Sequence, residues 1–161
     1  MAPSAVYAAE DQWSALLDRG GTVDFFGSRL DVPSQRRFAD VASVQAYVDA
    51  ALAVEVVRMS YPTAGSVVVR ERTGQRRAHY EPDSATIAIP LRTLWGGRES
   101  VVLHEVAHHL ACSVGVPSER TGRRWHGREF QSAMGVLVTA VLGEAAALLL
   151  RAGYDAAGVR P

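Results

Sequence analysis

The stretch VVLHEVAHHL, residues 101–110, places three histidines and one glutamate in a run that is otherwise apolar. His104 and His108 are four residues apart, so on a helix their side chains lie about one turn apart on the same face. The apolar residues fall on the opposite face: Leu103, Val106, Ala107 and Leu110. The spacing therefore predicts a helix that buries one side in the core and presents two imidazoles on the other.

Residues 104–108 form the pattern H-E-x-x-H, in which two imidazoles can converge on one zinc ion at distances of about 2.0–2.1 Å. Glu105 lies about 100° further round the helix than His104, where it reaches a water beside the metal rather than the metal itself. His109 points about 100° away from His108 and is interpreted as a supporting or partly exposed residue. The pattern thus gives each residue a separate role.

A catalytic zinc needs a third protein ligand, and four downstream residues are candidates: Glu119, His126, Glu129 and Glu144. His126 is favoured because zinc prefers nitrogen donors and because a chain reversal after residue 125 would return it to the first helix. Glu129, one turn from His126, is either a ligand or an orienting residue. Glu144 would lie about 27 Å from His126 on a continuous helix, so the two cannot share an ion. We interpret Glu144 as paired with an arginine or exposed near a helix bend.

Hydrophobic periodicity and turn residues predict an α+β fold. The expected order is a helix over 5–19, a strand over 22–26, a helix over 41–57, strands over 66–72, 76–81 and 85–90, the helix of the opening stretch, a loop over 113–125 and a long C-terminal helix. We expect the three consecutive strands to form an antiparallel meander. The prediction is a single domain, 1–161, with a small, mostly antiparallel sheet packed against an active-site helix and the C-terminal helix.

The composition narrows the functional classes. The 161 residues are 48% hydrophobic, enough for one core, and 17 basic residues balance 17 acidic ones. Zero net charge gives no overall attraction to nucleic acid or membranes, and we interpret the local arginine clusters as solvated faces rather than binding sites for nucleic acid or acidic substrates. The single cysteine, Cys112, excludes an internal disulfide and a cysteine-rich zinc ribbon within this chain. The oligomeric state is not readable from the sequence.

Neither end of the chain carries a recognisable membrane signal. The opening residues lack the basic and apolar regions of a signal peptide. The apolar stretch 130–150 contains Gln131, Ser132, Thr139 and Glu144, and it falls short of the roughly 18–20 uninterrupted apolar residues that span a bilayer. We therefore expect a core helix there and a cytoplasmic protein.

VVLHEVAHHL followed by HGREF (126–130) resembles the SprT-like branch of the zincin metallopeptidases. The segments VDFFG, VQAYVDAAL and AHYEPDSATIAIP, together with that helix, are similar to a family of small, uncharacterised predicted metallohydrolases of actinobacteria. The resemblance implies a zincin-like core in which His104, His108 and His126 bind zinc beside Glu105. It also implies an edge strand before the active-site helix that pairs with an extended substrate, a place that ATIAIP (85–90) occupies.

The functional hypothesis is a zinc-dependent metallohydrolase with a peptide or protein substrate, in which zinc activates a water and Glu105 acts as general base. Two alternatives stay open: a nucleic-acid or protein-binding module with a structural zinc, and a hydrolase of non-peptide amides or esters. The residue that would stabilise an oxyanion is not identified. His79, Tyr80 and Tyr154 are candidates, although packing is the commoner role for such residues.

Overall fold

The computed structural model describes residues 4–74 and 76–161 and has an α+β architecture, which confirms that prediction. The elements in chain order are α1 (Ala5–Arg19), β1 (Gly21–Phe25), β2 (Ser28–Val32), α2 (Val41–Ala53), α3 (Glu55–Ser60), β3 (Val68–Glu71), β4 (His79–Glu81), β5 (Thr86–Ile89), α4 (Glu99–Val114), α5 (Arg128–Leu142) and α6 (Glu144–Ala156). The predicted strand after α1 is the first half of a hairpin. Phe26 and Gly27, both with positive φ, form its two-residue turn, and β2 follows where a loop was expected.

The second sheet has the strand order β3-β5-β4, so the predicted meander is wrong. Strand β5 pairs antiparallel with β4 but parallel with β3. All four residues of β5 are buried, as a central strand requires, whereas the sequence analysis placed ATIAIP at an edge. Strand alternation shows which residues face a core but carries no information on the order or direction of pairing. The outer strands of this sheet are β3 and β4.

The predicted long C-terminal helix is two helices, α5 and α6, separated at Gly143. Gly143 has a φ of 95°, a left-handed conformation that ends the first helix and that side-chain-bearing residues avoid. Both helices are amphipathic, so their apolar residues read as one continuous run in the sequence. Glu144 is exposed at the start of α6, which confirms its predicted position near a helix bend.

Helices α1, α4, α5 and α6 pack around the hydrophobic core. Helix α1 lies against α6, where Trp13 is buried and its indole N–H donates to the carbonyl of Ala146 at 3.0 Å. Helix α4 packs chiefly on α5 and is buried from Val102 to Ala111. Among the described residues, no helix combines the length and the apolar character needed to cross a membrane.

Candidate metal centre

The first turn of α4 is fixed by a buried carboxylate. Glu99 is fully buried and accepts hydrogen bonds from the backbone N–H of Arg36 at 2.9 Å, from the Arg36 guanidinium at 3.0 Å and from the Tyr47 hydroxyl. One residue later, the backbone N–H of Ser100 donates to the side-chain oxygen of Gln35 at 3.0 Å. These contacts fix the start of the helix one turn before its first histidine, so the direction of the imidazoles is set by the surrounding fold.

His104, His108 and His126 bring one ring nitrogen each to a common point. The Nε2 atom of His104 lies 3.1 Å from Nε2 of His108 and 3.3 Å from Nε2 of His126. One potential ligand atom from each residue lies within 4.8 Å of those from the other two. Three ring nitrogens this close together form a set that could hold a metal ion. Helix α4 provides two of the histidines, whereas His126 lies in the turn two residues before α5 and not on the second helix, as the sequence analysis expected.

Glu10 orients the His104 ring through a hydrogen bond to Nδ1, the ring nitrogen that does not face the other two histidines. The Nδ1–H of His104 donates to Oε1 of Glu10 at 2.7 Å, because a carboxylate oxygen can only accept. The Tyr154 hydroxyl donates to the other carboxylate oxygen at 2.8 Å, and all three residues are buried. This arrangement of carboxylate, imidazole and metal position is the one by which proteins fix the ring orientation and tautomer of a metal ligand. With Nδ1 occupied, Nε2 of His104 is directed at the common point.

The three imidazoles of the site differ in how easily they take up a proton. Burial lowers the pKa of His104, but the charge and hydrogen bond of Glu10, together with Glu105, outweigh it and leave that pKa above its ordinary value. Burial and the neighbouring His104 lower the pKa of His108 to about 2 and that of His126 to about 4. Two neutral imidazoles and one ring in a negative field therefore surround the point. The neutral imidazole is the form in which a histidine binds a metal ion.

Glu105 is next to the cluster but lies outside the group of ligand atoms. Only 4% of Glu105 is exposed, and burial raises the pKa of its carboxyl to about 7. Both Glu105 and His104 line a cavity of about 430 Å³. A carboxylate with this pKa, facing a cavity beside a metal position, has the properties of a general base at neutral pH.

The other predicted candidates lie outside the cluster. Glu119 and Glu144 are exposed, and Glu129 pairs with Arg123 at 3.7 Å.

His109 donates from Nε2 to the carbonyl of Gly65 at 2.7 Å and accepts at Nδ1 from Tyr80 at 2.9 Å. It therefore joins α4 to the loop before β3 and to strand β4, as a supporting residue does.

The three candidates for oxyanion stabilisation have hydrogen-bond partners of their own. Tyr154 donates to Glu10, Tyr80 contacts His109, and His79 lies 3.0 Å from Oε1 of Glu81. None of the three lines the cavity beside Glu105. Their hydrogen bonds support the fold and the ligand histidine.

Tyr7 is a residue at the site that the sequence analysis missed. Its ring stacks on His104, with centroids 5.2 Å apart and planes at 22°, and meets the edge of His126 at 5.1 Å. Burial, followed by the charge of Glu105, raises the pKa of its hydroxyl.

Helix α1 thus contributes two side chains to the site, since Glu10 follows Tyr7 by one turn. Glu10 occupies the buried stripe of α1 between Ala9 and Trp13, and this position is the sequence signal that could have identified it.

Comparison with protein-family models, with curated proteins and with solved structures finds no match to this chain. The arrangement of its own residues is what points to a chemistry. Three convergent imidazoles, a carboxylate that orients one of them, and a second buried carboxylate beside a cavity together form a possible metal site.

Proposed function

We propose that this protein is a zinc-dependent hydrolase with a zincin-like core that cleaves amide bonds in peptides. The observation that carries the proposal is the convergence of Nε2 atoms from His104, His108 and His126 beside the buried carboxylate of Glu105. The resemblance of VVLHEVAHHL and HGREF to SprT-like zincins supports the same assignment.

Zinc is the metal that the donor set favours. Tetrahedral zinc at Zn–N distances of about 2.0–2.1 Å separates neighbouring ligand nitrogens by about 3.3 Å. The two measured separations from His104, 3.1 and 3.3 Å, agree with that value. When bound, zinc supplies Lewis acidity to a water and to the substrate carbonyl. His104, His108 and His126 would hold this ion, and a site with three protein ligands would leave room for a small molecule beside the metal.

Each surrounding residue has a task in this proposal. Glu105 accepts the proton of the attacking water and then delivers it to the leaving amine. Glu10 holds the His104 ring in the ligating tautomer, and Tyr154 keeps the Glu10 carboxylate in place. Their burial excludes competing water, so these hydrogen bonds are stronger than they would be at the surface.

Strand β4 supports a peptide as the substrate. Its one paired neighbour in the described sheet is β5, so its other edge carries the unpaired backbone groups of an outer strand. Arg77 and Ala78, which lead into β4, line the same cavity as Glu105. An extended peptide added to this edge would gain main-chain hydrogen bonds close to the site. Strand β4 thus takes the place that the sequence analysis gave to residues 85–90.

A structural zinc in a binding module requires a fourth protein ligand. In the part of the chain that the structure describes, the ligand group has three members, and Glu129 is not one of them. This observation favours the enzyme over the binding module.

Metal analysis of the purified protein tests the site. We expect one tightly bound zinc per chain in the wild type and loss of that zinc in His126→Ala. His79→Ala is a matched control, because His79 is partly exposed and contacts Glu81 rather than the cluster. Retention of stoichiometric zinc by His126→Ala would reject the three-histidine site.

A second experiment tests the chemistry. The zinc-loaded protein is incubated with a mixture of quenched fluorescent peptides and, separately, with simple amide and ester substrates. We expect peptide cleavage by the wild type and none by Glu105→Gln with zinc still bound. Cleavage of the small amides or esters alone would redirect the assignment to a non-peptide amidase or esterase, and full activity in Glu105→Gln would reject the general base.

A further inference from the structure

The cavity beside Glu105 is lined by residues of α1, of the segment that leads into β4 and of the start of α4. Several of its polar groups already have partners. Ser14 and Ser100 share a hydrogen bond of 2.8 Å, and both carboxylate oxygens of Glu10 accept hydrogen bonds from His104 and Tyr154. These groups have little capacity left for a ligand.

Two arginines that line the cavity have side-chain N–H groups without a hydrogen-bond partner among the described residues. Arg77 stacks its guanidinium over the Tyr7 ring at 4.2 Å, and it forms a loose ion pair of 3.7 Å with Asp11. Arg98 donates from Nε to Asp18 at 3.2 Å, and its two Nη groups have no hydrogen-bond partner among the described residues. The Arg98 side chain is 26% exposed, and its contact with Asp18 lies at the surface.

Two guanidinium groups with unpaired N–H donors favour a ligand that is negatively charged and rich in hydrogen-bond acceptors. Resting on the proposed function, we propose that Arg77 and Arg98 bind a carboxylate of the substrate and make the enzyme selective for acidic peptides. The carboxylate can belong to an aspartate or glutamate side chain or to the free C-terminus of the peptide, since both present the same two oxygens to a guanidinium.

The neighbouring negative groups are consistent with this role. The Asp11 side chain is 68% exposed and 3.7 Å from Arg77, so a substrate carboxylate can replace it at little cost. Asp18 engages Arg98 through Nε and fixes the direction in which the rest of the guanidinium points. Glu10, Asp11 and Glu105 also line the cavity, so any preference for anions must originate in the two arginines.

The test measures binding to the metal-free protein, so it does not depend on catalysis or on zinc. Metal is first removed with a chelator, and the chelator is then removed by gel filtration, because chelators themselves carry carboxylates that could bind the arginines. Nuclear magnetic resonance titrations follow the arginine Nε–H signals with two ligand pairs: acetyl-Ala-Asp-amide against acetyl-Ala-Asn-amide, and acetyl-Ala-Ala with a free C-terminus against its amide. We expect at least one carboxylate ligand to bind about 10-fold or more tightly than its neutral partner and to shift the Arg77 and Arg98 signals. The pair that shows the preference identifies the source of the carboxylate.

Three variants test whether Arg77 and Arg98 cause the preference for carboxylate ligands. Arg77→Gln and Arg98→Lys each remove a guanidinium group that could bind both oxygens of a carboxylate. Arg98→Lys keeps the positive charge beside Asp18. Arg92→Gln is the control, because Arg92 is 91% exposed and does not line the cavity. We expect the carboxylate preference to fall in the first two variants and to persist in the third, with zinc content unchanged in all.

Equal binding of acidic and neutral ligands to the wild type would overturn the proposal, as would an undiminished preference in both cavity variants. A protein that binds no zinc but keeps the carboxylate preference would refute the proposed hydrolase while leaving the anion site intact. The two failures are therefore distinguishable.

Discussion

Replacing Glu10 by glutamine isolates the contribution of its negative charge to metal binding. The amide has nearly the same shape as the carboxylate, so its oxygen can still accept from Nδ1 of His104, and the Tyr154 hydroxyl can rotate to accept from the amide nitrogen. Only the charge behind the ligand histidine is lost. Substitution of such orienting groups typically weakens metal affinity about 10–100-fold, which corresponds to about 1.4–2.7 kcal/mol.

Replacing Glu10 by alanine should have a different result. This variant leaves two buried donors without acceptors, the Nδ1–H of His104 and the hydroxyl of Tyr154. Each unsatisfied group costs about 1–3 kcal/mol, so the metal-free alanine variant should lose about 2–6 kcal/mol of its free energy of unfolding. The glutamine variant should lose much less.

Two measurements separate these effects: zinc affinity by competition with a chromophoric chelator, and urea unfolding of the metal-free protein. Glu119→Gln is the control, since Glu119 is exposed and outside the metal cluster. The reasoning is refuted if Glu10→Gln binds zinc as tightly as this control, or if Glu10→Ala is as stable as the wild type without metal.

Three further predictions concern the base, the metal and the helix break. In Glu105→Gln, peptide hydrolysis should fall by about 10²–10⁴-fold, as measured by initial rates, while zinc content stays at one per chain. Zinc at a thousand times its dissociation constant should stabilise the wild type by about 4 kcal/mol in thermal unfolding, and His126→Ala should show little of this gain. Gly143→Ala forces a side chain into a φ of 95° with open space around it, so urea unfolding should show a loss of about 1–2 kcal/mol from backbone strain alone. An unchanged midpoint in Gly143→Ala would mean that the break tolerates a right-handed conformation.

Local spacing explains which parts of the site the sequence could predict. His104, Glu105 and His108 lie on one helix, so the geometry of α4 fixes their relative positions without reference to the rest of the chain. His126 required one more step, a chain reversal before α5, and the loop with its glycines and proline indicated it. The contact between Glu10 and His104 joins residues 94 positions apart, and no local pattern encodes it.

The errors in the fold arise from pairing over a distance. The strand over residues 85–90 was correctly located, but its central position and its parallel pairing with β3 depend on tertiary packing. Strand β2 was missed because Phe26 and Gly27 turn the chain in two residues, and phenylalanine is unusual at a positive φ. Gly143 was read as part of one helix because the apolar stripes of α5 and α6 continue across it.

The bond between Tyr154 and Glu10 connects positions 144 residues apart, one on α6 and the other on α1. During synthesis on the ribosome, the ligand pair of α4 therefore exists well before its complete supporting network. Until α6 is made, Glu10 can orient the His104 ring but lacks the hydrogen bond from Tyr154. The full affinity of the proposed zinc site would thus be reached only after α6 has emerged and docked against α1.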